Sequence, residues 1–405
     1  MNELTSIGLI LLLALMAGHL VKMLRVPEVT GYILVGVALG PSVLGWLSQE
    51  NLVALGVLSE VALGLILFSV GSVFEFSLFR RIGRQVLLVT LVESTFAAVL
   101  VTGGALWFGQ SWQVSLLLGA IATATAPAST LMVIRELDSS GPLTDNLLGI
   151  IAVNNLLCIS VFGLVAAGID LTTGLDGLSR GAMVYRSAFW FAWEILGSAA
   201  LGYLVGMLLA GWSTHVTEGG ELLILLAGSI LFCVGVSRAM DLSPLVTSLA
   251  VGATMVNLAD RGRHLFAALS NTDPPFYAIF FVIAGAELDV TRIPAMGWVG
   301  LVYVVGRASG KFAGARLAAG RLGLEPDVRN YLGFALQAQA GLAVGLTLAV
   351  NIRYPQLAPT VTTIVLASVA VFEMIGPAST RFALVRAGEA GAAQPPGSGE
   401  LAAEL

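Results

Sequence analysis

The stretch ATATAPAST at residues 122–130 lies within a long apolar run and decides how this part of the chain folds. Pro127 removes one backbone donor from a helix, and its ring clashes with the preceding turn. Four Thr and Ser side chains within the stretch can bond to the backbone groups that such a break releases. The stretch therefore predicts a helix that is interrupted at Pro127.

The composition places this helix in a membrane. Of the 405 residues, 57% are hydrophobic and only 11% are charged. Because a soluble domain carries roughly 25% charged residues, a soluble globular enzyme is excluded. A net charge of −5 without a Lys/Arg-rich run argues against a nucleic-acid partner. The two cysteines and three histidines lack metal-ligand spacing, so we expect neither a metal nor a cofactor.

Thirteen apolar segments are candidate membrane helices, which need about 20 mainly apolar residues each. They cover residues 4–22, 29–46, 51–75, 85–107, 113–134, 146–169, 187–212, 220–238, 243–258, 274–290, 295–318, 329–350 and 359–384. If the N-terminus is on side A, thirteen of the 20 Lys and Arg residues fall on side B and five on side A. Since basic residues accumulate in cytoplasmic loops, we predict a multi-pass protein of the plasma (inner) membrane with its N-terminus outside and its C-terminus cytoplasmic. Residues 387–405 are small, polar and rich in Pro and Gly, which predicts a disordered cytoplasmic tail.

The two halves of the chain align at a nearly constant offset, which predicts an internal repeat. The matched pairs are Gly36 with Gly252, Gly71 with Gly285, Glu93 with Arg307, Thr125 with Gln339, and Pro127 with Gly341. Seven spans separate equivalent helices, so the repeats must run in opposite directions through the membrane, as in many secondary transporters. Two interrupted polar helices at equivalent positions predict a substrate site between them. Thr125 and Gln339 are its predicted ligands, and Pro127 and Gly341 mark the breaks.

Six ionisable side chains fall inside predicted spans, namely Glu60, Glu93, Glu194, Arg307, Lys311 and Glu373. A charge at the centre of a membrane helix costs at least about 2.5–3.5 kcal/mol, so each needs a reason. Arg307 and Lys311 are four residues apart and share a helix face. We predict a structural ion pair between the repeat mates Glu93 and Arg307, with a direct role in transport as the alternative. Glu373 could pair with Lys311 or Arg307; Glu60 and Glu194 are expected to cap backbone groups or lie near an interface.

Two adjacent amides, Asn154 and Asn155, lie in the sixth predicted span. Hydrogen bonding between helices would be enough to explain them. Their position beside the broken helix favours a role in substrate binding.

These motifs resemble the monovalent cation:proton antiporters, especially their second branch, over about residues 1–385. The resemblance rests on GYILVGVALGPSVLG (31–45), LGLILFSVGSVFEF (63–76), ATATAPAST (122–130), FFVIAGAELDV (280–290), GRASGKFAGARL (306–317) and LQAQAGLAVGL (336–346). It implies an all-α membrane fold of two inverted repeats with crossed discontinuous helices. It also implies a homodimer in membrane lipid that exchanges a monovalent cation for a proton.

The resemblance further implies a division of the transmembrane domain, residues 1–386. A mobile core would comprise residues 85–169 and 295–384. A dimer panel would comprise residues 4–75 and 220–290, with residues 187–212 as a linker helix.

One position departs from the family pattern. The family has Asp-Asp or Asn-Asp in the sixth span, and the second residue is the carboxylate that binds the cation or the proton. This chain has Asn154 and Asn155, and an amide can ligate a cation but cannot titrate. Lys311 matches the family's basic residue. Without a carboxylate beside it, Lys311 is expected to make the site electropositive.

Three functions remain open at this stage. The first is Na⁺ or K⁺/proton antiport with a displaced acidic group, Glu93 or Glu373. The second is transport of an anion or a neutral solute, with Lys311, Thr125, Gln339 and the two asparagines as ligands. The third is a non-transporting sensor or subunit. The fold favours the first, whereas the local chemistry favours the second or the third.

Overall fold

The computed structural model describes residues 3–24, 26–71, 76–173, 189, 192–213, 219–259, 274–288 and 292–391, and the regular elements within these ranges are helices. The helices are α1 (Glu3–Met23), α2 (Glu28–Leu39), α3 (Gln49–Gly71), α4 (Phe76–Trp107), α5 (Trp112–Ala122), α6 (Pro127–Glu136), α7 (Pro142–Thr173), α8 (Ser198–Ser213), α9 (Gly219–Ala239), α10 (Pro244–Leu258), α11 (Pro274–Glu287), α12 (Gly297–Arg321), α13 (Pro326–Ala335), α14 (Gly341–Arg353) and α15 (Ala358–Arg386). A π-helical turn, Trp193–Gly197, leads into α8, and a short helix, Arg292–Ala295, precedes α12.

The helices confirm the all-α membrane fold. Seven helical segments are long and apolar enough to cross a membrane, and five shorter apolar helices accompany them. Each of the thirteen predicted segments contains a helix, but thirteen membrane crossings remain a prediction. The second segment becomes extended at Gly40, because residues that precede a proline, here Pro41, disfavour the helical conformation.

Two of the predicted segments are interrupted, as expected from the sequence. Helix α5 ends at Ala122, and α6 begins with Pro127 at its first position, where the missing N–H costs nothing. Helix α13 ends at Ala335, and α14 begins at Gly341. The two extended linkers cross, and the backbone N–H of Ala126 donates to the carbonyl oxygen of Ala338 at 3.0 Å.

Equivalent glycine contacts confirm the inverted repeat. A Cβ on Gly36 of α2 would overlap the backbone of α11 and lie 2.8 Å from the Cα of Gly285. A Cβ on Gly71 of α3 would lie 2.7 Å from the Cα of Gly252 of α10. Since Gly36 aligns with Gly252 and Gly71 with Gly285, the two contacts are the same contact in opposite repeats. Only glycine permits this approach of two helix backbones.

The described helices pack as two bundles. Helices α4–α7 and α12–α15 contact mainly one another, and we call them the core bundle. Helices α1–α3 and α8–α11 form the second set, the panel bundle. Helices α2 and α3 of the panel bundle contact α6 of the core bundle.

The prediction of a disordered tail from residue 387 is wrong for its first five residues. The carboxylate of Glu389 accepts hydrogen bonds from the backbone N–H groups of Leu143 (2.6 Å) and Thr144 (2.8 Å) in the first turn of α7. The N–H of Gly391 also donates to the carbonyl oxygen of Leu137 at 2.7 Å. A helix N-terminus has free N–H groups and a partial positive charge, which an acidic side chain satisfies. Residues 392–405 lie outside the described residues.

Candidate functional site

The break after α5 leaves backbone carbonyl groups free, and four side chains bind them. The donors are Cys158 Sγ to Ala120 (3.7 Å), Gln339 Nε2 to Ile121 (3.1 Å), Lys311 Nζ to Thr123 (2.9 Å) and Arg307 to Ala124 (2.6 Å). The C-terminal end of a helix carries a partial negative charge, so cationic donors are favoured there. The break is therefore stabilised from the second repeat as well as from α7.

Arg307 of α12 joins the two broken helices. Besides Ala124, its guanidinium donates to the carbonyl oxygens of Gln337 (2.7 Å) and Ala338 (3.1 Å) in the other linker. It also lies over the ring of Phe372, 4.2 Å from the centroid. The planar guanidinium group carries several N–H donors, so it can bind these three carbonyl oxygens at once instead of pairing with a single carboxylate. The predicted Glu93–Arg307 ion pair is therefore wrong.

Glu93 instead pairs with Lys311. Lys311 Nζ lies 2.8 Å from Glu93 Oε2 and 2.8 Å from Thr125 Oγ1, and the side chains of Glu93 and Lys311 are 0% exposed. Helices α4 and α12 can approach this closely because a Cβ on Gly314 would lie 2.6 Å from the Cα of Glu93. Lys311 thus has a carboxylate beside it, and the expectation of an electropositive site without one is wrong.

The two asparagines of α7 have different surroundings. Asn154 Nδ2 donates to Glu93 Oε1 at 2.9 Å and to Ser94 Oγ at 3.0 Å, which completes the hydrogen bonding of the ion pair. Asn155 lines a separate cavity of about 20 Å³ together with Thr125, and its Oδ1 has no hydrogen-bond partner within the described ranges. Such a volume holds about one water molecule. Asn154 therefore supports the ion pair through its amide nitrogen, although its own Oδ1 also lacks a partner among the described residues, whereas Asn155 lines the cavity.

Of the remaining predicted site residues, Gln339 is held in the hydrogen-bond network and the others line the small cavity. Gln339 donates to the hydroxyl oxygen of Tyr303 at 2.8 Å and to the carbonyl of Ile121, so its amide nitrogen is occupied. Thr125, Pro127 and Gly341 line the small cavity that Asn155 faces. The structure brings all the predicted ligands together around the crossing, and their roles in binding remain predictions.

Glu373 of α15 lies apart from this network. It is 2% exposed, and neither carboxylate oxygen has a hydrogen-bond partner among the residues that the structure describes. The predicted pairing of Glu373 with Lys311 or Arg307 is therefore wrong, since both cations are engaged at the crossing. Glu60, in contrast, forms an ion pair with Arg238.

Glu373 faces a cavity of about 280 Å³ between the two bundles. The cavity extends from Leu288, just beyond the end of α11 that the thirteen-span prediction places on side A, to Gly341 at the start of α14, and we call it the side A cavity. Glu60 and Glu287 of the panel bundle line it as well. The sequence contained one signal for this site, an acidic residue in the middle of an apolar helix, but no signal for the cavity.

The bundles contact each other near side B. The backbone N–H of Glu28, at the start of α2, donates to Glu136 Oε2 at the end of α6, at 2.8 Å. The guanidinium of Arg135 lies 5.8 Å from the ring centroid of Tyr277 on α11. The space between the bundles is therefore bridged by polar contacts near side B and hollow towards side A.

Comparisons with known proteins place this arrangement in a family. Residues 8–386 match the family described as "Sodium/hydrogen exchanger, transmembrane". The chain is similar to the iron transporter MagA of Paramagnetospirillum magneticum, with 25% identity over 71% of this chain and 64% of that protein, which is less than two thirds of its length. It is also similar to a Na⁺/H⁺ antiporter of Enterococcus hirae, with 24% identity over 77% of this chain and 81% of that protein.

The fold has a match among solved structures as well. The sodium proton antiporter MjNhaP1 of Methanocaldococcus jannaschii superposes with a TM-score of 0.71 at 17% identity, over 99% of this chain and 97% of that chain. This likeness concerns the fold alone, whereas the family match covers nearly the whole sequence. The chain belongs to the sodium/hydrogen exchanger family.

Proposed function

We propose that this protein is a secondary active transporter that exchanges a monovalent cation, Na⁺ or K⁺, for protons. Family membership supports a transporter rather than an enzyme, and the antiporter of Enterococcus hirae supports the substrates. The observation that carries the proposal is the crossing of two broken helices around a buried, neutral Glu93–Lys311 pair. Their linkers and the adjoining cavities offer oxygen atoms to a cation at the depth where the helices are interrupted.

Transport would proceed by alternating access. The core bundle would move against the panel bundle and open the site first to one side and then to the other. The cavity towards side A and the contact between Glu28 and Glu136 near side B support a side A-open state. Transport then requires that this contact break when the site opens to side B.

The alternative of an anion or neutral-solute carrier is weaker than the sequence suggested. It depended on an uncompensated Lys311, and Glu93 compensates that charge. A non-transporting sensor or subunit is not favoured either, because the matched family and the relative from Enterococcus hirae support transport, and the buried carboxylate of Glu373 is available in place of the absent aspartate.

The assembly and the orientation are part of the same proposal. The panel bundle carries exposed apolar side chains along α1, including Leu12, Leu15 and Met16, which suit lipid or a second copy of the chain. We place a homodimer in the plasma membrane, with the core bundles mobile and the panel bundles in contact. Side B, which receives most of the basic residues, would be cytoplasmic.

Reconstitution into liposomes tests the proposal. Purified protein is reconstituted with a pH gradient and a fluorescent pH reporter, and Na⁺, K⁺ and Li⁺ are added in turn. We expect at least one cation to dissipate the gradient, with no response in empty liposomes. Folded protein that responds to none of the three cations would contradict the proposal.

A further inference from the structure

We propose that Glu373 is the carboxylate that binds the cation and the proton in turn, in place of the acidic residue that is absent at Asn155. The inference rests on the proposed exchange function. It assigns the exchanged charge to α15, whereas the sequence pattern directs attention to α7 and to the crossing.

The first step concerns the state of the Glu373 side chain. It is buried, and both carboxylate oxygens lack a partner within the part of the chain that the structure describes. A buried ionised carboxylate without a partner costs several kcal/mol, so it has to be neutralised. A bound proton or a bound monovalent cation neutralises it equally well, and these are the two substrates of the proposed exchange.

The second step concerns the positive charges nearby. Arg307 lies over Phe372, the residue before Glu373, yet it donates to the linker carbonyls of Ala124, Gln337 and Ala338. Lys311 is paired with Glu93. Since neither cation pairs with Glu373, a cation from solution can neutralise it without displacing a side chain.

Within the described ranges, the other charged groups on the helices around Glu373 line its cavity or lie at helix ends. Glu287 of α11 and Glu60 of α3 line the same cavity, and Glu60 is paired with Arg238. The charged residues of the remaining helices that pack on α15 lie at helix ends: Glu28 on α2, Arg135 and Glu136 on α6, Arg292 in the short helix before α12, Asp327 and Arg329 on α13, and Arg353 on α14. Glu287 therefore adds an acidic group to the wall opposite Glu373, which favours a cation in the cavity.

The third step concerns access and ligands. The cavity connects Glu373 with the side A end of the panel bundle, and the acidic side chain of Glu287 on its panel wall attracts cations into it. Ser59 adds a hydroxyl group to the same wall. Carboxylate and hydroxyl oxygens are the ligands that hard cations prefer. The panel residues would guide the ion, and Glu373 would carry it.

The exchange balances at this one group. When a monovalent cation binds, the carboxyl group releases its proton to the open side, and the site is neutral before and after. A neutral site can move with the core bundle without exposing a bare charge to the apolar interior. On the opposite side the cation leaves and a proton replaces it.

The transport test compares wild type with Glu373→Gln and Glu373→Asp in the liposome assay. Glu194→Gln is the matched control, because Glu194 is also a partly buried glutamate but lines a different cavity. We expect Glu373→Gln to lower cation-driven proton flux at least tenfold, Glu373→Asp to retain part of it, and Glu194→Gln to stay within twofold of wild type. Wild-type flux in folded Glu373→Gln would overturn the inference and leave the proposed function intact.

A binding test distinguishes failure of the proposed exchange function from failure of the Glu373 site. A hydrophobic carbodiimide modifies protonated carboxyl groups in apolar surroundings, and peptide mass spectrometry locates the modified residue. At constant pH, Na⁺ or K⁺ should reduce modification of Glu373 severalfold, while choline should have no effect. If wild type transports none of the cations but Na⁺ or K⁺ still protects Glu373, the exchange function fails and the binding site stands. If neither cation protects Glu373, the assignment of this site fails.

Discussion

Two regions of the core bundle bury charge in opposite ways. At the crossing, Lys311, Glu93 and Arg307 all have partners within 3.1 Å, and the two cations bind the linkers of both broken helices. In the side A cavity, Glu373 is equally buried, yet its carboxylate has no partner among the residues described. The crossing is complete in the sense that each charged group has a partner, and it holds the backbone in an otherwise unstable conformation. The cavity region is incomplete in that sense and retains the capacity to bind an ion.

The largest effect on the free energy of unfolding should come from removing the ion pair at the crossing. Lys311→Ala leaves Glu93 buried without its cation and the Thr123 carbonyl without its donor, which should cost about 3–5 kcal/mol. The exposed pair Lys22–Glu28 has the same 2.8 Å separation, and Lys22→Ala should cost at most about 1 kcal/mol. Thermal unfolding of the purified protein compares the two. Equal losses would contradict a structural role for the buried pair.

Cation binding at Glu373 should stabilise the folded protein, whereas the crossing, whose charged groups already have partners, should gain nothing from the cation. A ligand at 100 times its Kd stabilises the folded state by about 2.7 kcal/mol. Na⁺ or K⁺ should therefore raise the unfolding temperature of wild type and of Glu194→Gln, but not that of Glu373→Gln. The comparison uses choline at the same ionic strength. If Glu373→Gln gains as much stability as wild type, the cation binds elsewhere.

A second binding carboxylate can be introduced at the edge of the crossing. Asn155 presents a free oxygen to the small cavity, so Asn155→Asp should restore part of the cation-driven proton flux to Glu373→Gln. Asn154→Asp is the matched control, because its carboxylate would lie against Glu93 and repel it. We expect rescue by the first substitution and reduced stability without rescue by the second. If both substitutions restored flux, the position of the new carboxylate, at the cavity or against Glu93, would not matter for transport.

The smallest effect should come from a buried glutamate outside both regions. Glu389→Ala removes the side-chain cap of α7 and should cost about 1 kcal/mol. Cation-driven flux per folded molecule should remain at the wild-type value. A large loss of flux without loss of stability would assign this segment a role in transport that its contacts do not suggest.

The breaks and the repeat could be predicted because they depend on local chemistry. A proline inside a helix removes a backbone hydrogen bond, and at Pro127 it stands in a polar stretch whose repeat mate contains Gly341. Pro377, in contrast, is accommodated inside α15. The helix pairs that place Gly36 against Gly285 and Gly71 against Gly252 need glycine, which left a visible pattern in both halves.

The partner of Lys311 could not be predicted from the same pattern. Arg307 and Lys311 share one face of α12, and the rotation of that helix against α4 decides which of them meets Glu93. Repeat symmetry favoured Arg307, the mate of Glu93, whereas the close approach at Gly314 favours Lys311. The sequence also could not predict that Glu373 lacks an ion-pair partner among the described residues. This depends on Arg307, which donates to backbone carbonyls that only the crossing of the two linkers brings together.

The most direct measurement compares cation-driven proton flux per folded molecule in wild type, Glu373→Gln and the double variant Glu93→Gln with Lys311→Met. The double variant removes both charges of the Glu93–Lys311 pair together, so neither is left buried without its partner, and Arg307 keeps its carbonyl partners. If the crossing is structural and Glu373 carries the exchanged charge, the double variant retains a substantial part of the flux and Glu373→Gln loses it. Flux that survives Glu373→Gln and disappears in the double variant would contradict this account.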